Sequence, residues 1–216
     1  FVGGVGWRQN EQTYDGYRLQ YKPTDQLSID YSYVYNVNRI FGPTGGKADL
    51  KGHLHLANFK YAVNKDHKFA AFAYLLDFDT AAAISTDTFG FEYSGNLGPV
   101  KAKLSYATQS ETGDNPNDFS ADYWNAELGT KLGSVNLAAG IETLGSDNGI
   151  GFSTPLATLH KFQGFADKFL ATPGTGIEDV YVKVSTKING VALTAFYHDL
   201  SADTGGADYG SEVDLV

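Results

Sequence analysis

Leu27-Ser28-Ile29-Asp30-Tyr31-Ser32-Tyr33-Val34-Tyr35-Asn36 decides the fold. Leu27, Ile29, Tyr31, Tyr33 and Tyr35 fall on one side of an extended chain, and Ser28, Asp30, Ser32 and Asn36 fall on the other. Successive side chains of a β-strand point to opposite faces, so this stretch reads as a strand with one apolar and one wet face. The same beat recurs along the chain. Phe89, Phe91 and Tyr93 oppose Gly90, Glu92 and Ser94. Val100, Ala102, Leu104 and Tyr106 oppose Lys101, Lys103 and Ser105. Further copies run through 123–128, 135–142, 180–185 and 191–198, with weaker ones at 1–8, 13–22, 53–63, 68–78 and 210–216. That makes about twelve strands, each near the length that crosses a bilayer at a tilt. The copy at 53–63 is the least regular, because Leu54 and Leu56 fall on its polar face, and a bulge would account for it.

The connections alternate as well. Short turns are expected at 23–26, 64–67, 96–99, 132–134 and 188–190, and longer polar loops near 37–52, 79–86, 109–118, 144–176 and 201–210. Short turns at one rim and long loops at the other are the outer-membrane pattern. A soluble antiparallel sandwich gives the same alternation. Two features decide against it. Arg18, Asp30, Glu92, Lys103, Glu127 and Lys183 put charge at mid-strand on the polar faces, as a wet lumen requires. Tyr21, Tyr35, Tyr93, Tyr106 and Tyr197 put aromatics near strand ends on the apolar faces, as interfacial girdles do. The reading is an all-β, transmembrane, antiparallel up-and-down barrel.

Composition agrees with this and narrows the function. The chain has 216 residues with 14 Tyr, 14 Phe and 25 Gly, a mixture suited to pleated surfaces and tight turns. It has no Cys, which removes disulfides, thiolate metal sites and Cys nucleophiles. A net charge of −9 makes nucleic acid a poor partner. No apolar run is long enough for a transmembrane helix. Phe1-Val2-Gly3-Gly4 is no basic-then-apolar leader, so a signal peptide is expected to be absent or already removed. The chain closes on Asp214-Leu215-Val216 in mid-strand, so a larger barrel is expected. There is no G-x-S-x-G, H-E-x-x-H or phosphate-binding loop, and no enzyme is expected.

Candidate pore-lining residues follow from the polar faces. The basic ones are Arg8, Arg18, Lys22, Lys60, Lys101, Lys103 and Lys183; the acidic ones are Asp30, Asp77, Glu92, Glu127, Glu142, Glu212 and Asp214. The near balance points to a general pore with ion pairs across the lumen. Lys101 and Lys103, adjacent on one face, are the best candidates for anion contact. His53 and His55 share a face at a spacing that can hold a metal, but no third ligand is apparent and an interfacial place is expected. Acidic loops with Asp114 and Asp118, or Asp203 and Asp208, could take Ca²⁺ or bridge lipopolysaccharide, although no EF-hand spacing is present. No other cofactor is implied. The expected partners are the lipid bilayer, lipopolysaccharide and small polar or anionic solutes.

One long connection stands apart. In 144–176, Thr154 is a plausible N-cap, Pro155 a good first helical residue, and Leu156, Leu159, Phe162, Ala166, Phe169 and Leu170 make an apolar stripe before Pro173. A short helix over 153–170 is expected, folded into the mouth or lidding it. His160, Lys161, Asp167 and Lys168 are its candidate constriction residues. The stretch 154–169, with His160, Phe162, Gly164, Phe165, Asp167 and Phe169, resembles the loop signature of alginate-export-type outer-membrane proteins. So does the run from Tyr197-His198-Asp199-Leu200 through Gly205-Gly206 to Glu212. The resemblance covers about 153–215. It implies a monomeric channel of more strands than are counted here, in some members carrying an acidic polysaccharide out of the cell. The residues themselves leave monomer and homo-oligomer open. They point to passive diffusion of small polar or anionic solutes. A non-conducting adhesin or a barrel hydrolase is the alternative that the same staves allow.

Overall fold

The computed structural model describes residues 1–6, 9–157 and 162–216. Eleven antiparallel strands form one sheet in chain order: β1 (Thr13–Tyr21), β2 (Leu27–Asn38), β3 (Asp49–Ala62), β4 (His67–Phe78), β5 (Thr86–Leu97), β6 (Val100–Glu111), β7 (Ser120–Leu132), β8 (Val135–Leu144), β11 (Ile177–Ile188), β12 (Val191–Ser201) and β13 (Asp208–Leu215). Between β8 and β11 the long loop carries a small hairpin of β9 (Ser146–Asp147) and β10 (Ile150–Gly151). The sheet is open, with β1 and β13 at its edges, and so forms part of a barrel.

Local chemistry explains the rims. Asn189-Gly190 turns β11 into β12 with both residues at positive φ (51° and 88°), the Asn-Gly chemistry of a two-residue hairpin. Gly98 and Gly133 supply the same left-handed backbone at the β5–β6 and β7–β8 turns. Residues 39–48, 79–85, 112–119, 145–176 and 202–207 connect the strands at the opposite rim, as the alternation predicts.

The two faces differ as expected. Tyr17, Leu19, Tyr21, Phe59, Phe69, Phe91, Leu104, Trp124, Leu128 and Val182 stand exposed on the convex side. The concave side carries charge, but it also holds two apolar clusters. One joins Val34, Val37, Leu50, Leu54, Leu56, Leu76 and Phe78 to Leu156 of the long loop. The other joins Ala107, Ala121, Tyr123, Leu144, Ile177 and Leu200 to Phe119 and to Phe152 of the loop. Both belong to the part of the wall that the loop covers.

Three expectations need correction. Residues 1–6 form no strand: they cross the concave face, with the Phe1 ring 5.6 Å from Phe72 and 5.0 Å from Tyr123, and the Gly3 N–H donating to the Leu156 carbonyl (2.9 Å). Gly3, Gly4 and Gly6 lower strand propensity there. Leu54 and Leu56 need no bulge of their own. They keep register with Leu76 and Tyr74 and are buried under Leu156. The irregularity lies in β2, between Val34 and Asn36. The loop helix is also absent: the described residues of 153–170 form turns and bends, and the remainder lie outside the described residues. Gln163 and Asp167 sit at positive φ (53° and 55°) and Gly164 at 91°, which interrupts any helical run.

This assignment of faces is directly testable. Phe91→Arg, at mid-strand on the convex side, should weaken folding into lipid vesicles by about 2–4 kcal/mol, measured by urea titration. Its neighbour Glu92→Gln should change it by less than about 1 kcal/mol. Equal losses for the two would reverse or abolish the distinction.

Candidate pore and constriction

The concave face is where the polar halves of the alternation converge. Arg18, Asp30, Lys60, Glu92, Lys101, Lys103, Glu127, Glu142 and Lys183 all share it, by register with neighbours of the same face. Arg8, His160 and Lys161 lie outside the described residues. Lys22 is in the turn after β1. Asp77 is misplaced by the sequence reading. It faces His53 across β3–β4, on the convex side near the long-loop rim. His53 and His55 are also convex, each bonded through Nδ1 to a tyrosine hydroxyl (Tyr33, 2.8 Å; Tyr31, 2.7 Å), as interfacial residues would be. Among the described residues no three metal-ligating side chains converge.

The ion pairing is local, between neighbouring strands. Arg18 holds Asp30 through Nε (3.0 and 3.1 Å) and a terminal nitrogen (2.6 Å), and Gln20 adds a bond of 2.8 Å. Lys183 stands over the Phe196 ring, 5.2 Å from its centroid. Tyr181 donates to Glu127 (2.9 Å).

Charge is distributed unevenly along the strands, and this was not foreseen. Lys60, Lys68, Lys101 and Lys103 lie among the strand residues nearest the short turns. Lys65, Lys68, Lys101 and Lys103 border a recess of about 290 Å³, together with Asp66 and Glu127. Toward the long loops the groups are acidic. Glu142 and Asp179 are each the third residue from their strand ends, and Asp179 is buried against His198 Nδ1 (2.8 Å). No alternation marks Lys65, which falls within a short turn, or Lys68, which falls at its flank.

The long loop covers part of the acidic half. Its entry is pinned by Gln109, whose amide donates to Thr88 (2.8 Å) and to the Ser153 carbonyl (2.9 Å) and accepts from the Ser153 N–H (2.7 Å). Gln12 donates to the Leu156 carbonyl (3.2 Å). The farther limb is bonded to β8 and β13. Gln163 donates to Glu142 (2.8 Å), and the N–H groups of Phe165 and Ala166 donate to Glu212 (2.6 and 2.8 Å). Asp167 is half-buried and Lys168 exposed on this limb. Beneath it lies a cavity of about 180 Å³ bordered by Lys103, Tyr123, Glu142 and Phe169. No spacing marks Gln12 or Gln109, because their partners are far away in sequence.

An up-and-down sheet with an apolar convex face, a charged concave face and an infolded loop is the wall of an outer-membrane β-barrel. Solved structures bear this out. The chain is similar to Pseudomonas aeruginosa OpdL (17% identity, TM-score 0.67, covering 96% of this chain and 60% of that one). It is similar to P. aeruginosa OccK9 (OpdG), at 13% identity and TM-score 0.68, covering 95% of this chain and 57% of that one. The outer membrane protein OpdK of the same organism gives 14% identity and TM-score 0.66, over 95% and 59%. The chain thus spans roughly three-fifths of the chains it matches. No family model and no curated protein matches it. The structural neighbours are of the Occ and Opd type, not the alginate-export type, which corrects the resemblance read from 153–215.

The Gln109 pin yields a prediction. Gln109→Leu leaves the Ser153 N–H without its acceptor and should cost about 1–3 kcal/mol. Limited proteolysis should then cut within 153–170 several times faster than in the parent; equal rates would show that the pin does not hold the loop.

Proposed function

We propose that this chain forms the wall and inner loop of a channel for passive diffusion of small polar solutes across the outer membrane, with a preference for anions. The observation that carries the reading is the lysine group at the short-turn rim, where Lys65, Lys68, Lys101 and Lys103 outnumber Asp66 and Glu127 around an open recess, with Lys60 on the same face near the end of β3. Rings of one charge attract counter-charged solutes and set selectivity. The buried acidic half under the loop acts chiefly as a steric limit, since its carboxylates are already bonded to Tyr123, Gln163 and loop amides. OpdK, one of the matched structures, was crystallised with vanillate, a small carboxylate, which is in keeping with this class of solute. Acidic polysaccharide export is not part of the proposal.

In a planar bilayer with a tenfold salt gradient, the parent channel should give an anion-selective reversal potential. The double variant Lys101→Gln/Lys103→Gln should move it toward zero or to cation preference. A reversal potential that does not move would remove these two lysines from the selectivity mechanism. Deleting 153–170 should raise single-channel conductance, and unchanged current would place the loop outside the conduction path.

A further inference from the structure

The two limbs of the infolded loop are fixed to the wall by different chemistry. The entry limb is held by burial: Phe152 and Leu156 are 0% and 1% exposed, one in each inner cluster. The farther limb leaves Phe162 and Leu170 about half exposed, so apolar burial holds it much less. Three of its hydrogen bonds end on two carboxylates. Gln163 is itself buried and donates to one oxygen of Glu142, while the other oxygen takes the Tyr123 hydroxyl (2.7 Å). One oxygen of Glu212 takes the consecutive N–H groups of Phe165 and Ala166. Gly164, at φ 91°, lets the backbone close over this carboxylate; a Cβ there would lie 2.5 Å from the second Glu212 oxygen. Successive N–H groups beside such a residue make an anion-binding concavity. Ring contacts of Phe165 with Phe196 (5.4 Å) and Phe169 with Tyr209 (5.3 Å) steer the limb.

We propose that residues 163–166 are a releasable gate, latched by the carboxylates of Glu212 and Glu142 while the 152–156 limb stays fixed, so that these two acids set how often the channel is closed. The inference rests on the channel reading above. An amide N–H bonds a carboxylate more strongly than a neutral oxygen, so removing the charge weakens the latch without removing the acceptor. Glu212 is on β13 and reaches across to the loop that leaves β8, so the gate ties two separated parts of the wall.

The test is single-channel recording of the full chain and its variants. Glu212→Gln should reduce the fraction of time spent closed on the order of tenfold, the weight of one lost charge-assisted bond. Glu142→Gln should act in the same direction. Gly164→Ala keeps every charge and leaves the strands untouched, yet should unlatch the limb by crowding Glu212, and it carries the test if Glu212→Gln does not assemble. Unchanged closing statistics in Gly164→Ala and in assembled Glu212→Gln, with the parent conducting, would overturn the gate alone. A parent that passes no current would overturn the channel reading and the gate with it.

Discussion

Hydrocarbon offers no partner to a peptide N–H or carbonyl, so a chain that crosses a bilayer as strands must satisfy every backbone group within its own sheet. Each strand from β2 to β12 of the main sheet has an antiparallel partner on both sides, in nearly unbroken register. The remaining free backbone lies along β1 and β13, where further wall would pair. Once backbone pairing is fixed, the side-chain alternation follows. A one-residue slip would turn Phe91 to water and Glu92 to lipid, so each strand's register is set by the cost of that exchange.

A barrel wall of this kind needs no core between its strands, yet part of the concave face is dry. The loop between β8 and β11 folds inward and brings Phe152 and Leu156 against leucines, valines and aromatics of the wall. Burying that backbone creates a demand for hydrogen bonds, which Gln12 and Gln109 meet with amide side chains that can both donate and accept. An uncharged amide is suited to this place, because a charge there would carry a large desolvation cost. The wall therefore has lipid on one side and a small protein-like interior on part of the other.

That interior explains which features the sequence revealed. Strand existence, the two rims and the sign of most face assignments were legible, since period-two alternation and turn chemistry are local. Leu54 and Leu56 resisted the pattern because they face a loop about a hundred residues away, so the concave side of β3 is apolar there while His53 and His55 take the convex side. The helix expected over 153–170 came from a 3.6-residue stripe whose apolar members have different destinations. Leu156 enters the first inner cluster, Phe169 meets Tyr209 at the second, and Phe162 is exposed. The Asp179–His198 pair and the Glu212 contacts had no sequence signal, since they depend on which strands become neighbours and where the loop falls.

Net charge is a poor guide to the lumen of such a protein. The chain carries −9, but several carboxylates are held where a passing solute would not meet them freely. Asp77 is convex, Asp122 accepts the hydroxyl of convex Tyr106, Asp30 is neutralised by Arg18, and Glu142 and Glu212 are engaged by the loop. The lysines are grouped instead around an open recess at the other end. An acidic chain can in this way carry a recess in which lysines outnumber carboxylates. Field at the recess depends on nearby charge on a low-dielectric wall, and charges more than a Debye length away, about 8–10 Å, count little. In the proposed channel the division of labour would follow from position: the long-loop half would restrict size through a packed and bonded loop, and the short-turn half would act on charge through side chains left in water.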